Sequence, residues 1–416
     1  MGIYLNPGNR LFAEAVGSEI YVDKTELIKY TNKVVGTLQK YICITRPRRF
    51  GKSMAANMLA AYYGKGCDSR ELFEPYKIAK SESYEKNLNQ YNVIALNMQD
   101  FLSVTNSVEE FITYIQTVVL EELREYYSDK IPKQEKFLSA ALEKLFSRTG
   151  ESFVFIIDEW DCILREKKYA TEDYRKYLDF IGELLKDKAY VSLAYMTGIL
   201  PIKKYGTHSG PNMFDEYSMV NPKKLAEFTG FTEEEVKELC SQYDVDFAEM
   251  KKWYGGYFFK HAPNIYNPFS VIEAVLNEKF ASYWTRTETC EALSEYIDAD
   301  YDGLKEAIIS ILNGNPYRVN IRTFQNDMTS FKTKDDIVTL LIHLGYLAYD
   351  KETASVHIPN AEIQEEFKNA IEGSNWTEVM QAIEQSEQLL QATWNQDVET
   401  VACSVRLAAP QKVKEE

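Results

Sequence analysis

The apolar and polar positions divide this chain into two unlike parts. Up to about residue 220, short apolar runs alternate with longer stretches in which apolar residues recur every three or four positions. The runs lie at 41–44, 92–98, 153–157 and 191–196. They lack polar alternation, so they read as strands covered on both faces. The stretches near 107–126, 134–147 and 171–186 read as amphipathic helices. Strands alternating with helices predict an α/β fold with a parallel sheet. A further helix beginning near Gly51 is expected to carry Met54, Met58, Leu59 and Tyr62 on one face.

Past residue 220 helical patterns dominate. Thr232 with Glu235 reads as a capping box, and Asn267-Pro268 as an N-cap followed by proline at the first helical position. Trp253-Tyr-Gly-Gly-Tyr257 reads as an aromatic turn or hairpin. Residues 335–344 form an apolar helix that Gly345 stops, and two strand-like runs follow at 346–349 and 355–358. A helix followed by a hairpin suggests a winged-helix-like unit. The expected organisation is a P-loop ATPase domain over 1–220 and a helical, lid-like region over 221–300. A winged-helix-like and helical region over 301–400 and a disordered tail over 401–416 complete it.

The first strand runs into Tyr41-Ile-Cys-Ile-Thr-Arg-Pro-Arg-Arg-Phe-Gly-Lys-Ser-Met54. Gly51-Lys52-Ser53 is the second half of a phosphate-binding loop, placed between a strand and a helix as that loop requires. Helix N-terminal amides and the helix dipole favour an anion there. Gly51 lets the backbone approach phosphates, Lys52 reaches the β and γ phosphates, and Ser53 offers a hydroxyl to magnesium. The general motif has glycine where this chain has Arg46, and Pro47 next to it fixes its own φ near −65°. The nucleotide-binding stretch is thus expected to be Arg46, Pro47, Arg48, Arg49, Phe50, Gly51, Lys52, Ser53 and Met54. The three arginines could clamp phosphates bidentately or pair with nearby carboxylates.

The third apolar run ends in Asp158-Glu159. A P-loop ATPase needs two carboxylates at such a strand end. Asp158 would hold magnesium, and Glu159 would orient the attacking water. Thr197, at the tip of the fourth run, would sit beside them and sense the γ-phosphate, or bond a nearby backbone group. Asp23-x-x-Glu26 reads as a capping box, or as part of a segment over the adenine end of the site.

Composition excludes several alternatives. A net charge of −16 argues against a protein that coats nucleic acid generally. The six cysteines (43, 67, 162, 240, 290, 403) form no C-x-x-C pair, and the four histidines are scattered, so neither a zinc ribbon nor a histidine-rich metal site is indicated. No apolar run reaches the ~18 residues of a transmembrane helix, and residues 1–15 lack signal-peptide character. The expected location is cytoplasmic, with no membrane partner.

The chain resembles the bacterial and archaeal AAA-ATPase-like proteins that commonly carry a PD-(D/E)XK nuclease-like domain at the C-terminus. The resemblance rests on an ordered set of motifs: Tyr21-Val-Asp-Lys-Thr-Glu-Leu-Ile28, Thr45-Arg-Pro-Arg-Arg-Phe-Gly-Lys-Ser53, Phe155-Ile-Ile-Asp-Glu-Trp-Asp161, Thr197-Gly-Ile-Leu-Pro201, Trp253-Tyr-Gly-Gly-Tyr257, Tyr266-Asn-Pro-Phe-Ser270, Leu344-Gly-Tyr-Leu347 and Ile358-Pro-Asn360. That family also lacks the first loop glycine. The resemblance implies ATP binding at 46–53 and magnesium chemistry at Asp158 and Glu159. The resulting expectation is a Mg²⁺-dependent ATPase that drives a change in its C-terminal region. The alternative is a nucleotide-dependent switch that holds DNA or a protein partner with little hydrolysis, and a purely structural α/β protein is a third reading.

The resemblance also raises the question of a nuclease. Such a centre needs an Asp and a Glu-x-Lys on adjacent strands. The last hundred residues hold one Glu-x-Lys, Glu366-Phe367-Lys368, within a four-residue apolar repeat of Ile363, Phe367 and Ile371. It therefore reads as the solvated face of a helix. Residues 381–402 read as the helical segment that would precede the nuclease. The expectation is an ATPase module without nuclease activity, its nuclease partner absent.

Overall fold

The structure is a computed structural model that describes residues 2–166, 168–202, 212–284, 301–324 and 331–372, with a few positions between 389 and 397. The apolar runs become strands because each is covered on both faces. β1 (Tyr41–Thr45), β3 (Phe153–Asp158) and β4 (Val191–Gly198) are buried at every position. With β2 (Asn92–Asn97) and β5 (Asp215–Tyr217) they form one sheet in the order β2-β3-β4-β1-β5. Every pairing in it is parallel.

Alternate residues of a strand serve opposite faces. Tyr41, Cys43, Phe153, Phe155 and Ile157 join one hydrophobic cluster with the helices Val108–Tyr127, Leu138–Thr149 and Thr171–Leu185. Ile42, Ile44, Val154 and Ile156 join another with the helices Glu26–Val34 and Lys52–Tyr63. Each fully buried Ile or Phe contributes about 1.5–3 kcal/mol through removal from water. Parallel strands with helices on both faces place all carboxyl ends at one edge, where such sheets bind ligands.

Most predicted elements stand where the pattern put them, with local corrections. In the helix Lys52–Tyr63, Met58, Leu59 and Tyr62 are buried, but Met54 is exposed. One turn past the loop, Met54 faces the ligand crevice rather than the core. Asp23 does not cap the helix Glu26–Val34, whose N-cap is Thr25. The Asp23 carboxylate accepts from Thr25 N at 2.8 Å and from Lys77 N at 3.0 Å, so it ties two segments together. Thr232 and Glu235 form the expected capping box, and Asn267 caps Pro268–Leu276. Trp253 and Tyr254 end the helix Phe247–Tyr254, so only Gly255 and Gly256 form the turn into β6 (Tyr257–Phe259), which pairs antiparallel with β7 (Ala262–Ile265).

The helix Lys334–Leu344 ends at Gly345 with φ 91°, a left-handed cap that suits glycine. After it, β9 (Ala348–Asp350) and β10 (Ser355–His357) pair antiparallel, and β8 (Tyr317–Arg318) adds to β10. The helix Ala361–Glu372 forms as expected, but Glu366 is not on a solvated face. It is fully buried and accepts from the Ser282 hydroxyl at 2.6 Å. Glu362, one turn earlier, accepts from Tyr283 N at 2.8 Å and Ser270 Oγ at 2.9 Å. The segment 270–284 thus supplies polar partners that cover the helix's second face. Burial pushes the Glu362 carboxyl up to about 7.

The tail at 401–416, Cys290, Cys403 and His208 lie outside the described residues, as does most of 381–402. Among the described residues, no helix is long and apolar enough to cross a membrane, and no group of three or more His, Cys, Asp or Glu residues could hold a metal ion.

Candidate functional site

The sheet order decides what meets at its carboxyl edge. β4 lies between β1 and β3, with Thr45 paired to Gly198 and Ile157 paired to Met196. The loop that follows β1, the tip of β4 and the acids that follow β3 therefore meet at one edge. Above it opens a cavity of about 860 Å³, lined among others by Arg48, Gly51, Lys52, Ser53, Glu159 and Arg165.

The loop turns through two left-handed residues, Arg49 at φ 65° and Gly51 at φ 81°. Gly51 is the N-cap of Lys52–Tyr63 and takes that conformation without steric cost. Arg49 does not, and it is held by contacts: its guanidinium lies 3.9 Å over the Phe269 ring, and its Nη1 donates to Tyr283 O at 3.1 Å. Lys52 Nζ donates to Pro47 O at 2.9 Å and lies 4.0 Å from Glu159 Oε1. Burial pushes the Lys52 pKa down, while Glu159 and Asp158 act against that shift.

The three arginines part company. Arg48 and Arg49 line the cavity, but Arg46 is fully buried away from it. Arg46 Nη1 donates to Thr45 O and to Tyr217 O, each at 2.8 Å, and its guanidinium lies 5.6 Å from the Phe259 ring. Burial lowers its pKa to about 10. Phe50 is buried against Tyr257 at 5.5 Å, and Pro47 packs where a side chain on Gly345 would collide. The side chains of Arg46, Pro47 and Phe50 thus fasten the loop to β5, β6 and the 345 turn, rather than reaching a ligand. Ser53 and Met54 stay exposed on the cavity wall.

At the acidic end, Asp158 Oδ1 accepts from the Thr197 hydroxyl and from Glu159 N at 3.0 Å. Both of these bonds fall on Oδ1. Thr197 therefore bonds a carboxylate rather than the backbone group that sequence left open. Glu159 sits at φ 51°, immediately past the strand. Its Oε2 accepts from Arg165 Nη2 at 2.6 Å.

Two residues of this site were not anticipated. Asp161 is fully buried, and its Oδ2 accepts from Ile199 N at 3.0 Å and Leu200 N at 2.7 Å. It fixes the chain just beyond the β4 tip. Gly198 is needed there, since a Cβ on it would stand 2.6 Å from both Asp161 Oδ1 and Trp160 Cδ1. Arg165 ends the short helix Cys162–Arg165, with Nε 3.5 Å from Asp161 Oδ2. The available signal was the i, i+4 spacing of Asp161 and Arg165 directly after the acidic pair.

A smaller cavity of about 60 Å³ adjoins the loop and is lined by Tyr21, Val22, Phe50, Met54, Phe228 and Phe231. It shares Gly51 and Met54 with the larger one. Lys24, at its edge, pairs with Glu235 at 2.5 Å.

Magnesium at a P-loop is held by a serine hydroxyl and a strand-end carboxylate together with water and phosphate oxygens, not by a cluster of protein acids. The exposed Ser53 hydroxyl and the Asp158 carboxylate, which takes its bonds from Thr197 and Glu159 N on Oδ1, are ligands of that kind, so the residues present fit the ion.

Comparison with known proteins bears on the same region. Residues 12–207 match a family model described as "Predicted AAA-ATPase". An uncharacterized protein in the vnfD 5' region of Azotobacter chroococcum mcd 1 is 23% identical over 280 residues, which cover 65% of this chain and 51% of that protein. The chain thus spans about half the length of this curated relative. Among solved structures, the Aeropyrum pernix ORC2 protein in ADPNP–ADP complexes aligns over 88% of this chain and 98% of its own, at 11% identity and a TM-score of 0.34. AMPPCP-bound DnaA from Aquifex aeolicus aligns over 93% and 94%, at 12% identity and a TM-score of 0.25. The fold assignment rests on the sheet and loop themselves, not on these distant likenesses. Residues 12–207, the stretch that matches the predicted AAA-ATPase family model, thus hold the P-loop, the strand-end acid and the intervening β4.

Proposed function

We propose that the chain is a Mg²⁺-dependent ATPase that uses the cavity at the carboxyl edge of its sheet. The observation that carries this reading is the convergence of Lys52, Ser53, Asp158, Glu159 and Thr197 on that edge from three adjacent strands. Loop amides and Lys52 bind the β and γ phosphates. Asp158, held by Thr197, and Ser53 hold the metal, which supplies charge neutralisation across the phosphates when bound. Glu159 orients water. The aromatic pocket beside Gly51, at about 60 Å³ too small for a whole adenine ring, is lined by Tyr21 and Val22, and we read the adjoining wall of the larger cavity as the adenine end of the site.

The loop is packed directly against the C-terminal half, through Arg46 on Phe259, Phe50 on Tyr257 and Pro47 on the 345 turn. A change in the loop on nucleotide binding would therefore pass to that half, which we read as a helical lid over 221–300 and a winged-helix-like unit over 301–400. DNA or a protein is its candidate partner, and the location is cytoplasmic.

One observation favours the alternative switch with little turnover. The Glu159 carboxylate is occupied by Arg165. Phosphate release from magnesium-ATP under single-turnover conditions, with and without DNA, separates the two. Turnover that slows ~10²-fold or more in Glu159→Gln supports the ATPase. Tight ATP binding with negligible release supports the switch.

A further inference from the structure

Glu159 is the group expected to orient water, yet in the structure its carboxylate is engaged by two cations. Arg165 Nη2 donates to Oε2 at 2.6 Å, and Lys52 Nζ stands 4.0 Å from Oε1. Both members of the Arg165–Glu159 pair are largely shielded, with 15% and 21% of their side chains exposed. Arg165 is anchored at its base, since Asp161 is itself fixed by the amides of Ile199 and Leu200. Arg165 lines the same cavity as Lys52 and Ser53. Burial opposes the Arg165 charge, but Asp161 and Glu159 hold its pKa above the usual value. It is therefore a fixed cation.

A terminal phosphate seated beside Lys52 competes with Glu159 for the same cations. Guanidinium is suited to such an exchange, because its planar fork binds carboxylate and phosphoryl oxygens in the same bidentate way. Resting on the ATPase reading above, we propose that Arg165 is an arginine supplied in cis that reads the γ-phosphate. Without nucleotide it holds Glu159. With a triphosphate it exchanges that carboxylate for phosphate oxygens, and Glu159 is released to orient water. No covalent bond is made or broken in this exchange. A diphosphate lacks the competing oxygens and leaves the Arg165–Glu159 pair closed.

The test is calorimetric binding of a non-hydrolysable ATP analogue and of ADP, with magnesium, to the full chain and to Arg165→Ala, Arg165→Lys and Glu159→Gln. Arg165→Ala should weaken the triphosphate about tenfold or more, the scale of one charge-assisted hydrogen bond, and leave ADP within about twofold. Arg165→Lys should recover part of the loss. Glu159→Gln should tighten the triphosphate, because the competing carboxylate is gone. If Arg165→Ala does not fold, the lysine and glutamine variants carry the same comparison. Equal weakening of both nucleotides, or an unchanged ratio between them, would overturn the role of Arg165 and leave the P-loop reading intact. Absence of binding by the unmodified chain would overturn both.

Discussion

Asp161 makes the most exacting structural prediction, because its two oxygens have different tasks. Oδ2 accepts from Ile199 N and Leu200 N, while Oδ1 is buried without a hydrogen-bond partner among the described residues. Asp161→Ala leaves two buried amides unpaired. Each unpaired group costs about 1–3 kcal/mol, so the total is about 2–6 kcal/mol. Asp161→Asn can keep its carbonyl at the Oδ2 position and retain both bonds. It also removes a charge that burial penalises, since burial raises the Asp161 pKa. Against that, it weakens the contact with Arg165 at 3.5 Å. The expected cost of asparagine is about 1 kcal/mol or less, on the scale of one ordinary hydrogen bond. Denaturant unfolding followed by near-ultraviolet circular dichroism measures both variants against the unmodified chain. An alanine variant within about 0.5 kcal/mol of the parent, the usual range for an inconsequential surface substitution, would refute the assignment of Asp161 as the brace of the β4 tip. Equal losses for alanine and asparagine would refute the claim that hydrogen bonding rather than charge is what matters.

Other outcomes follow from the same geometry. Gly198→Ala should cost about 1–3 kcal/mol through overpacking against Asp161 and Trp160 and should lower magnesium affinity by moving Thr197; unchanged metal dependence would count against that coupling. Glu362 has a folded-state pKa raised to about 7 by burial, so its neutral form contributes stability below the unfolded pKa that is lost as pH rises through about 7. Glu362→Gln cannot ionise, so its stability relative to the parent should rise between pH 5 and pH 8, and a flat difference across that window would show that Glu362 is not buried as described. DNA binding through 300–365 should be weak and salt-sensitive, each phosphate contact adding roughly 0.9 to the slope of log affinity against log salt. Tight binding indifferent to salt would contradict it.

The parts of the fold legible in the sequence are those where one local pattern has one structural meaning. Residues 153–157 are apolar without interruption because that strand is covered on both faces, and the acids follow it at the sheet edge. β5 was not legible: Asp215, Glu216 and Tyr217 form no apolar run, and they are a strand only because Ile42, Cys43 and Ile44 lie beside them. That omission explains a second one. Arg46, Arg48 and Arg49 look equivalent in sequence, and the carbonyl that draws Arg46 inward belongs to Tyr217 on the unseen strand. Glu366 failed for a related reason, because helical periodicity identifies the apolar face and says nothing about a polar neighbour such as Ser282 covering another. Arg165 was missed because its role depends on where Glu159 points, and Glu159 turns toward it through a left-handed backbone that no local pattern announces.

The central claim is that Gly51, Lys52 and Ser53 form a working phosphate site. Lys52 is suited to the test because its ammonium is held by one loop carbonyl, Pro47 O, and one distant carboxylate, so its loss leaves the core packing in place. The decisive measurement is calorimetric titration of magnesium-ATP into the full chain and into Lys52→Ala, with circular dichroism to establish that the variant is folded. The account predicts binding by the parent and abolished or greatly weakened binding by the variant, which has lost the main side-chain cation between the β and γ phosphates. Unchanged ATP affinity in a folded Lys52→Ala protein would contradict it.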